Sequence, residues 1–308
     1  MYRPEGPVIT IWVGEEPSIP FQIHKKLLCS SADYFERLIN GPWKNVSSDS
    51  LSLKKQDPAT FAIYEFFLHY RFVRVLAGGS SEVEDSKENI LGRHVWDGSE
   101  FTRLVKAYIL GDFLLASDFK DCTLDAMRLL TVDPDKNGVK GFPDSSAINE
   151  IYNNTLDGSN ARKFLVDLYI QQGPPEWMTN DQGPNGFHQE FLLGCAAALL
   201  DWIEGCRRSR ECLSRERLCP SQSADSTRCY DETSSELVAK YVVATLQVHP
   251  DLMGNDQDPD GLQEYLFNCT VGLLERMHNH ITGRTLLTGV CYYHEHPAGS
   301  TTCYRKAF

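Results

Sequence analysis

Two thiols and two imidazoles stand close together near the end of the chain, at Cys291, His294, His296 and Cys303. Thiolate and neutral imidazole are the ligands of a structural zinc ion, and four of them close its tetrahedron, leaving no open position for catalysis. The spacing C-x2-H-x-H-x6-C differs from the usual finger spacings. On an extended backbone His294 and His296 point to opposite sides, so the chain must turn for both to reach one ion. Two readings stay open: a solvated polar tail with no certain cofactor, or a structural zinc site on these four residues. Cys206, Cys212, Cys219 and Cys229 form a looser series, with five to nine residues between neighbours, and are a weaker second candidate.

Other chemistry is missing from the sequence. There is no nucleophile elbow, no glycine-rich phosphate loop and no His-Glu-x-x-His motif. His294-Glu295-His296 imitates a metal-hydrolase pair but lies in an unpatterned tail. A metal-dependent enzyme is therefore kept only as an alternative, and the expectation is a protein that is not an enzyme. Asp133, Asp135, Asn137 and Gly138 fit the opening of a calcium loop, but its twelfth position is Asp144 rather than glutamate and Pro134 sits second. An ordinary turn is the better reading.

Charge narrows the partners. The 308 residues carry a formal net charge of -12 and a sequence pI of about 5.2, which argues against broad binding to nucleic acid or to an anionic membrane. Arg207, Arg208 and Arg210 sit near the expected end of a helix, where cations complement its dipole. The longest apolar run, Phe191 to Leu200, is too short to span a bilayer. The segment Met1 to Pro7 holds no apolar run of the signal-peptide kind. An intracellular protein of the cytoplasm or nucleus is expected, its ten cysteines present as thiols or metal ligands.

The elements that would position any site begin at Val8. Val8 to Val13 is β-branched and apolar on both faces, the pattern of a buried strand. Gly14 to Pro20 supplies a turn, and Phe21 and Ile23 alternate with Gln22 as a hairpin partner would. From His24 the period becomes helical. Leu27, Tyr34 and Leu38 form one stripe and Leu28, Phe35 and Ile39 the adjacent one, until Asn40-Gly41-Pro42 stops the helix. Leu51 and Leu53 mark a short strand. Asp57-Pro58 then opens a helix with Phe61, Tyr64, Phe67 and Leu68 inward.

That ordered series resembles a BTB/POZ domain. It is carried by Val13-Gly14, Phe21-x-Ile23-His24-Lys25-x-x-Leu28, Tyr34-Phe35, Gly41-x-Trp43, Leu51-x-Leu53, Asp57-Pro58-x-x-Phe61 and the aromatic helix ending at Tyr70. The resemblance implies an α+β fold in which a small sheet caps a helical cluster, over residues 7–130, interrupted by an acidic insertion near 77–100. His24 is read as a structural residue hydrogen-bonded at the helix start. Ala32, Asp33 and Asn45 depart from the usual pattern. The missing acid at Asn45 counts against the charged pocket with which some members recruit corepressors. After the insertion, Leu104, Tyr108 and Leu115, with Phe119, Leu124 and Leu129-Leu130, predict two packed helices.

The second half reads as mainly α-helical over 143–281, followed by the Cys/His tail at 282–308. Asp144 caps a helix bearing Ile148, Ile151 and Tyr152, and Phe164, Leu165, Leu168 and Tyr169 mark another. Phe187 to Leu213 reads as one long helix. The run from Ile151 to Asp167, with Tyr152, Thr155, Ser159 and Arg162, is similar to a stretch found after the BTB domain in filamentous-fungal members. Such relatives often end in a Cys-x-x-His-x-His segment followed by a cysteine.

The resemblance implies a protein–protein interaction scaffold that binds itself as a homodimer or docks partners. The alternatives are a substrate adaptor of a cullin-type ubiquitin ligase or a transcriptional regulator. No period of about 40–50 residues recurs, so kelch repeats are absent, and so is an array of DNA-binding fingers. The docking surface is expected around Leu27 to Ile39.

Overall fold

The computed structural model describes residues 6–41, 50–73, 99–134, 137–173, 175–180 and 186–200, and eight positions between 263 and 274. The class is α+β, with a small three-stranded sheet and mostly helical content. The chain divides between Ala161 and Arg162 into two compact units.

In the first unit, strands β1 (Val8–Val13) and β2 (Ile19–His24) pair antiparallel, and β3 (Ser50–Leu53) pairs with β1 in parallel, giving the order β2-β1-β3. Side chains alternate across a strand. Ile9, Ile11 and Val13 therefore share one face with Phe21, Ile23, Leu51 and Leu53, and all seven are buried. The expectation that β1 is buried on both faces fails. Val8 and Trp12, on the other face, are 42% and 41% exposed. An open sheet with helices on one side needs only one apolar face, and a β-branched outer residue does not by itself bring a second layer.

The helix expected from His24 to Asn40 is two helices, α1 (Lys25–Ser31) and α2 (Asp33–Asn40). Ala32 between them is extended, with φ -149° and ψ 125°. The break lets Leu28 on α1 and Phe35 and Ile39 on α2 all reach the core. Ser31 is bonded locally, its hydroxyl donating to the Leu28 carbonyl at 2.9 Å. A serine engaged this way competes with helical continuation.

Helix α3 (Pro58–Tyr70) starts as its sequence predicts. The Asp57 carboxylate accepts from the Thr60 amide at 3.0 Å and the Thr60 hydroxyl at 2.7 Å, and Pro58 occupies the first turn. Gly14, at φ +91°, fits against this start. A Cβ there would lie 2.9 Å from the Pro58 ring, and its amide donates to the Leu53 carbonyl at 3.2 Å. Burial raises the Asp57 pKa, but the hydrogen bonds from Thr60 outweigh it and the net effect is a lowering. A carboxyl whose folded pKa is depressed contributes stability above its unfolded pKa, and that stability is lost as pH falls through the folded value. Asp57→Ala is expected to cost about 1 kcal/mol at neutral pH, with the gap to wild type closing below about pH 4. Thermal melts at several pH values check this, and an unchanged gap at acid pH would remove the charged cap from the account.

Helices α4 (Glu100–Leu114) and α5 (Ser117–Val132) close the cluster. The aromatic core links sheet to helices. Phe21 meets Phe61 at 4.9 Å between ring centroids, Phe61 meets Tyr64 at 5.7 Å, and Tyr64 meets Phe119 at 5.0 Å. Tyr64 is buried and its hydroxyl is hydrogen-bonded to Ser31, so the polar tip is satisfied inside an apolar core. Helix α6 (Ser145–Asn154) lies against α4. Asp144 caps α6 by accepting from the Ala147 amide at 2.8 Å, as predicted, and Ile148, Ile151 and Tyr152 are buried.

In the second unit, α7 (Asn160–Gln172) buries Phe164, Leu165, Leu168 and Tyr169. Tyr169 meets Trp177, on the short α8 (Pro175–Asn180), at 5.8 Å and Phe191 at 5.1 Å. Arg162 is paired with Glu190. The helix expected from Phe187 is described over 189–200, with Phe187 in the turn before it. The remainder of that predicted helix lies outside the described residues. Thr270 on a later helical stretch donates to the Leu266 carbonyl at 2.8 Å, with its hydroxyl 3.4 Å from the Leu192 carbonyl.

Candidate functional site

The turn between α4 and α5 and the start of α2 form a corner that presents apolar side chains to solvent. Helix α4 ends in two capping bonds. The Ala116 amide donates to the Gly111 carbonyl at 2.9 Å and the Leu115 amide to the Asp112 carbonyl at 3.2 Å. This is the Schellman arrangement, in which the residue after the helix turns left-handed and is usually glycine. Here that residue is Leu115, at φ 55°. A left-handed leucine costs about 1–2 kcal/mol relative to the right-handed form.

Two further contacts fix the corner. The Leu115 carbonyl accepts from the Asp33 amide at 3.5 Å, tying the first residue of α2 to the turn. The Tyr34 ring lies 5.1 Å from that of Phe113. Beneath them, Lys120 pairs with Asp112 at 2.8 Å and stands 5.8 Å from the Tyr108 ring. The outcome is a surface on which Phe113 is 44% and Leu115 49% exposed, beside a half-buried Tyr34 and, one turn along α2, a half-buried Leu38.

Leu104, Tyr108 and Leu115 together predict packed helices. Leu104 and Tyr108 are buried and Leu115 is not, because the helix ends one residue before it. Within the segment Leu27 to Ile39, where a docking surface is expected, Leu28, Phe35 and Ile39 are core. What remains there is the stripe of Leu27, Tyr34 and Leu38, all half-buried. Phe113 carried no signal in the sequence, since an exposed and a buried phenylalanine look alike when the end of the helix is unknown.

Helix α3 also ends in a left-handed residue. Arg71, at φ 60°, donates its amide to the Phe67 carbonyl at 2.8 Å. Its guanidinium meets Asp118 at 3.2 Å and lies 5.0 Å from the Phe67 ring centroid, which holds the first turn of α5 against α3.

His24 sits at the end of β2, where its Nδ1 donates to the Gly6 carbonyl at 3.2 Å. The next residue repeats the tie, the Lys25 amide donating to the Pro7 carbonyl at 2.9 Å. His24 thus has the bonded, positioning role expected of it. Cys291, His294, His296 and Cys303 lie outside the described residues, as do Cys206, Cys212, Cys219 and Cys229. Among the described residues no three His, Cys, Asp or Glu side chains gather as a metal site would require. Burial, with the Glu36 charge nearby, pushes the Cys29 thiol up to about 11, and burial pushes Cys195 up as well. Thiols held protonated are poor nucleophiles. Among the described residues no helix is long and apolar enough to cross a membrane. No protein-family model and no curated protein matches the chain.

Proposed function

We propose that this chain is a non-catalytic interaction scaffold of the BTB type, which docks a partner protein on the corner of Tyr34, Phe113 and Leu115. The observation that carries the reading is the exposed Leu115 in a left-handed conformation. Strain of this kind persists where surrounding structure over-determines it, and it clusters at sites of function. An apolar centre with aromatic anchors is also the composition of a protein interface core. The sequence resemblance in the first 130 residues supports the BTB assignment, and the elements run strand, strand, two helices, strand and helix.

Charge selects the partner's chemistry. The chain is acidic overall, and Asp33 and Glu36 stand exposed on α2 beside Tyr34, with Arg37 pairing Asp33 at 3.7 Å. The complementary partner is a protein with an apolar helical face rimmed by lysine or arginine. Under the alternative reading, a substrate adaptor of a ubiquitin ligase, that partner is a cullin, with cytoplasm or nucleus as the setting. Self-association is the other form of docking.

A purified cullin N-terminal region, titrated with wild-type protein and with Leu115→Asp, tests the site, with sedimentation of the protein alone as a second arm. The charged residue is expected to weaken cullin binding more than tenfold while far-UV circular dichroism stays unchanged. Leu115→Gly is expected to raise stability by about 1 kcal/mol, because it releases the left-handed strain, and to weaken binding by removing the side chain. Equal binding by all three proteins would overturn the corner as the docking site. Concentration-dependent dimers that Leu115→Asp leaves intact would move self-association elsewhere.

For the C-terminal cluster we propose a structural zinc ion on Cys291, His294, His296 and Cys303, on the strength of ligand type and number alone. Metal analysis of the purified protein is expected to return close to one zinc per chain. Cys291→Ser and His294→Ala should each lose the metal and lower the melting temperature. Unchanged metal content and stability in both variants would eliminate the site.

A further inference from the structure

We draw no further inference here: the strongest candidate, the outward face of the three-stranded sheet where Val8 and Trp12 stand exposed, carries nothing because nothing in the structure shows what covers it.

Discussion

Replacing Phe119 by alanine is expected to lower stability by about 3–5 kcal/mol, the range for truncating a fully buried phenylalanine. Phe119 is buried at the start of α5, with its ring centroid 5.0 Å from that of Tyr64 and 5.1 Å from that of Phe67. It therefore joins α5 to α3, and through Tyr64 to Phe61, Phe21 and the sheet. Few neighbours can move into the gap. Tyr64 is held by the Ser31 hydroxyl and Phe67 lies under the Arg71 guanidinium. Partial collapse is what sets the spread within that range. Urea unfolding followed by circular dichroism measures the loss as a shift in midpoint. A change below about 1 kcal/mol would mean that the aromatic column does not bind helices to sheet as described.

Gly111→Val is expected to cost about 3 kcal/mol, at the upper end for overpacking a filled core. Helices α4 and α5 approach closely at this residue. A Cβ on Gly111 would lie 2.8 Å from Lys120 Cγ and 3.1 Å from Phe119 Cδ1. Neither atom yields easily. Lys120 is anchored through its ammonium to Asp112, and Phe119 is locked in the aromatic column. Gly111→Ala makes a graded comparison. Alanine gains up to about 1 kcal/mol of helix propensity over glycine, which offsets part of the clash, so its loss should be clearly smaller than that of valine. If alanine stabilised the protein, the close approach would be refuted. The same displacement would disturb the corner proposed for docking, since the Gly111 carbonyl is one of the two that end α4. Gly111→Val should therefore also weaken partner binding, whereas Phe119→Ala acts chiefly on stability.

Much of the first unit was legible because its signals are local. A change of period from two to 3.6 at His24, an aspartate before a proline at Asp57-Pro58, and Asp144 before an apolar stripe each describe a few consecutive residues. Strand pairing between β1 and β2 follows from a short turn and alternating apolar residues. The buried list of α3, with Phe61, Tyr64, Phe67 and Leu68, is the apolar stripe itself. The α+β class follows from those elements alone.

What failed was not local. Ala32 has no helix-breaking chemistry of its own, and its extended conformation separates the two helices that carry Leu28 and Phe35 into one core. β1 reads as buried on both faces because valine, isoleucine and tryptophan favour strands whether or not a second layer exists. Leu115 continues the apolar spacing of Leu104 and Tyr108 and so reads as part of the packed helices. Only the capping bonds to Gly111 and Asp112 show that the helix has already ended. No glycine marks the stop.

Local pattern is enough for the α+β class, the caps at Asp57 and Asp144, the inward stripe of α3 and the nearness in sequence of Cys291, His294, His296 and Cys303. Which apolar residues are surplus to the core comes only from packing. That is a property of where helices end and how closely they cross, set by contacts between distant residues such as Asp33 with Leu115 and Gly111 with Lys120. Apolar character is written in each residue, but exposure depends on the neighbours that folding brings to it.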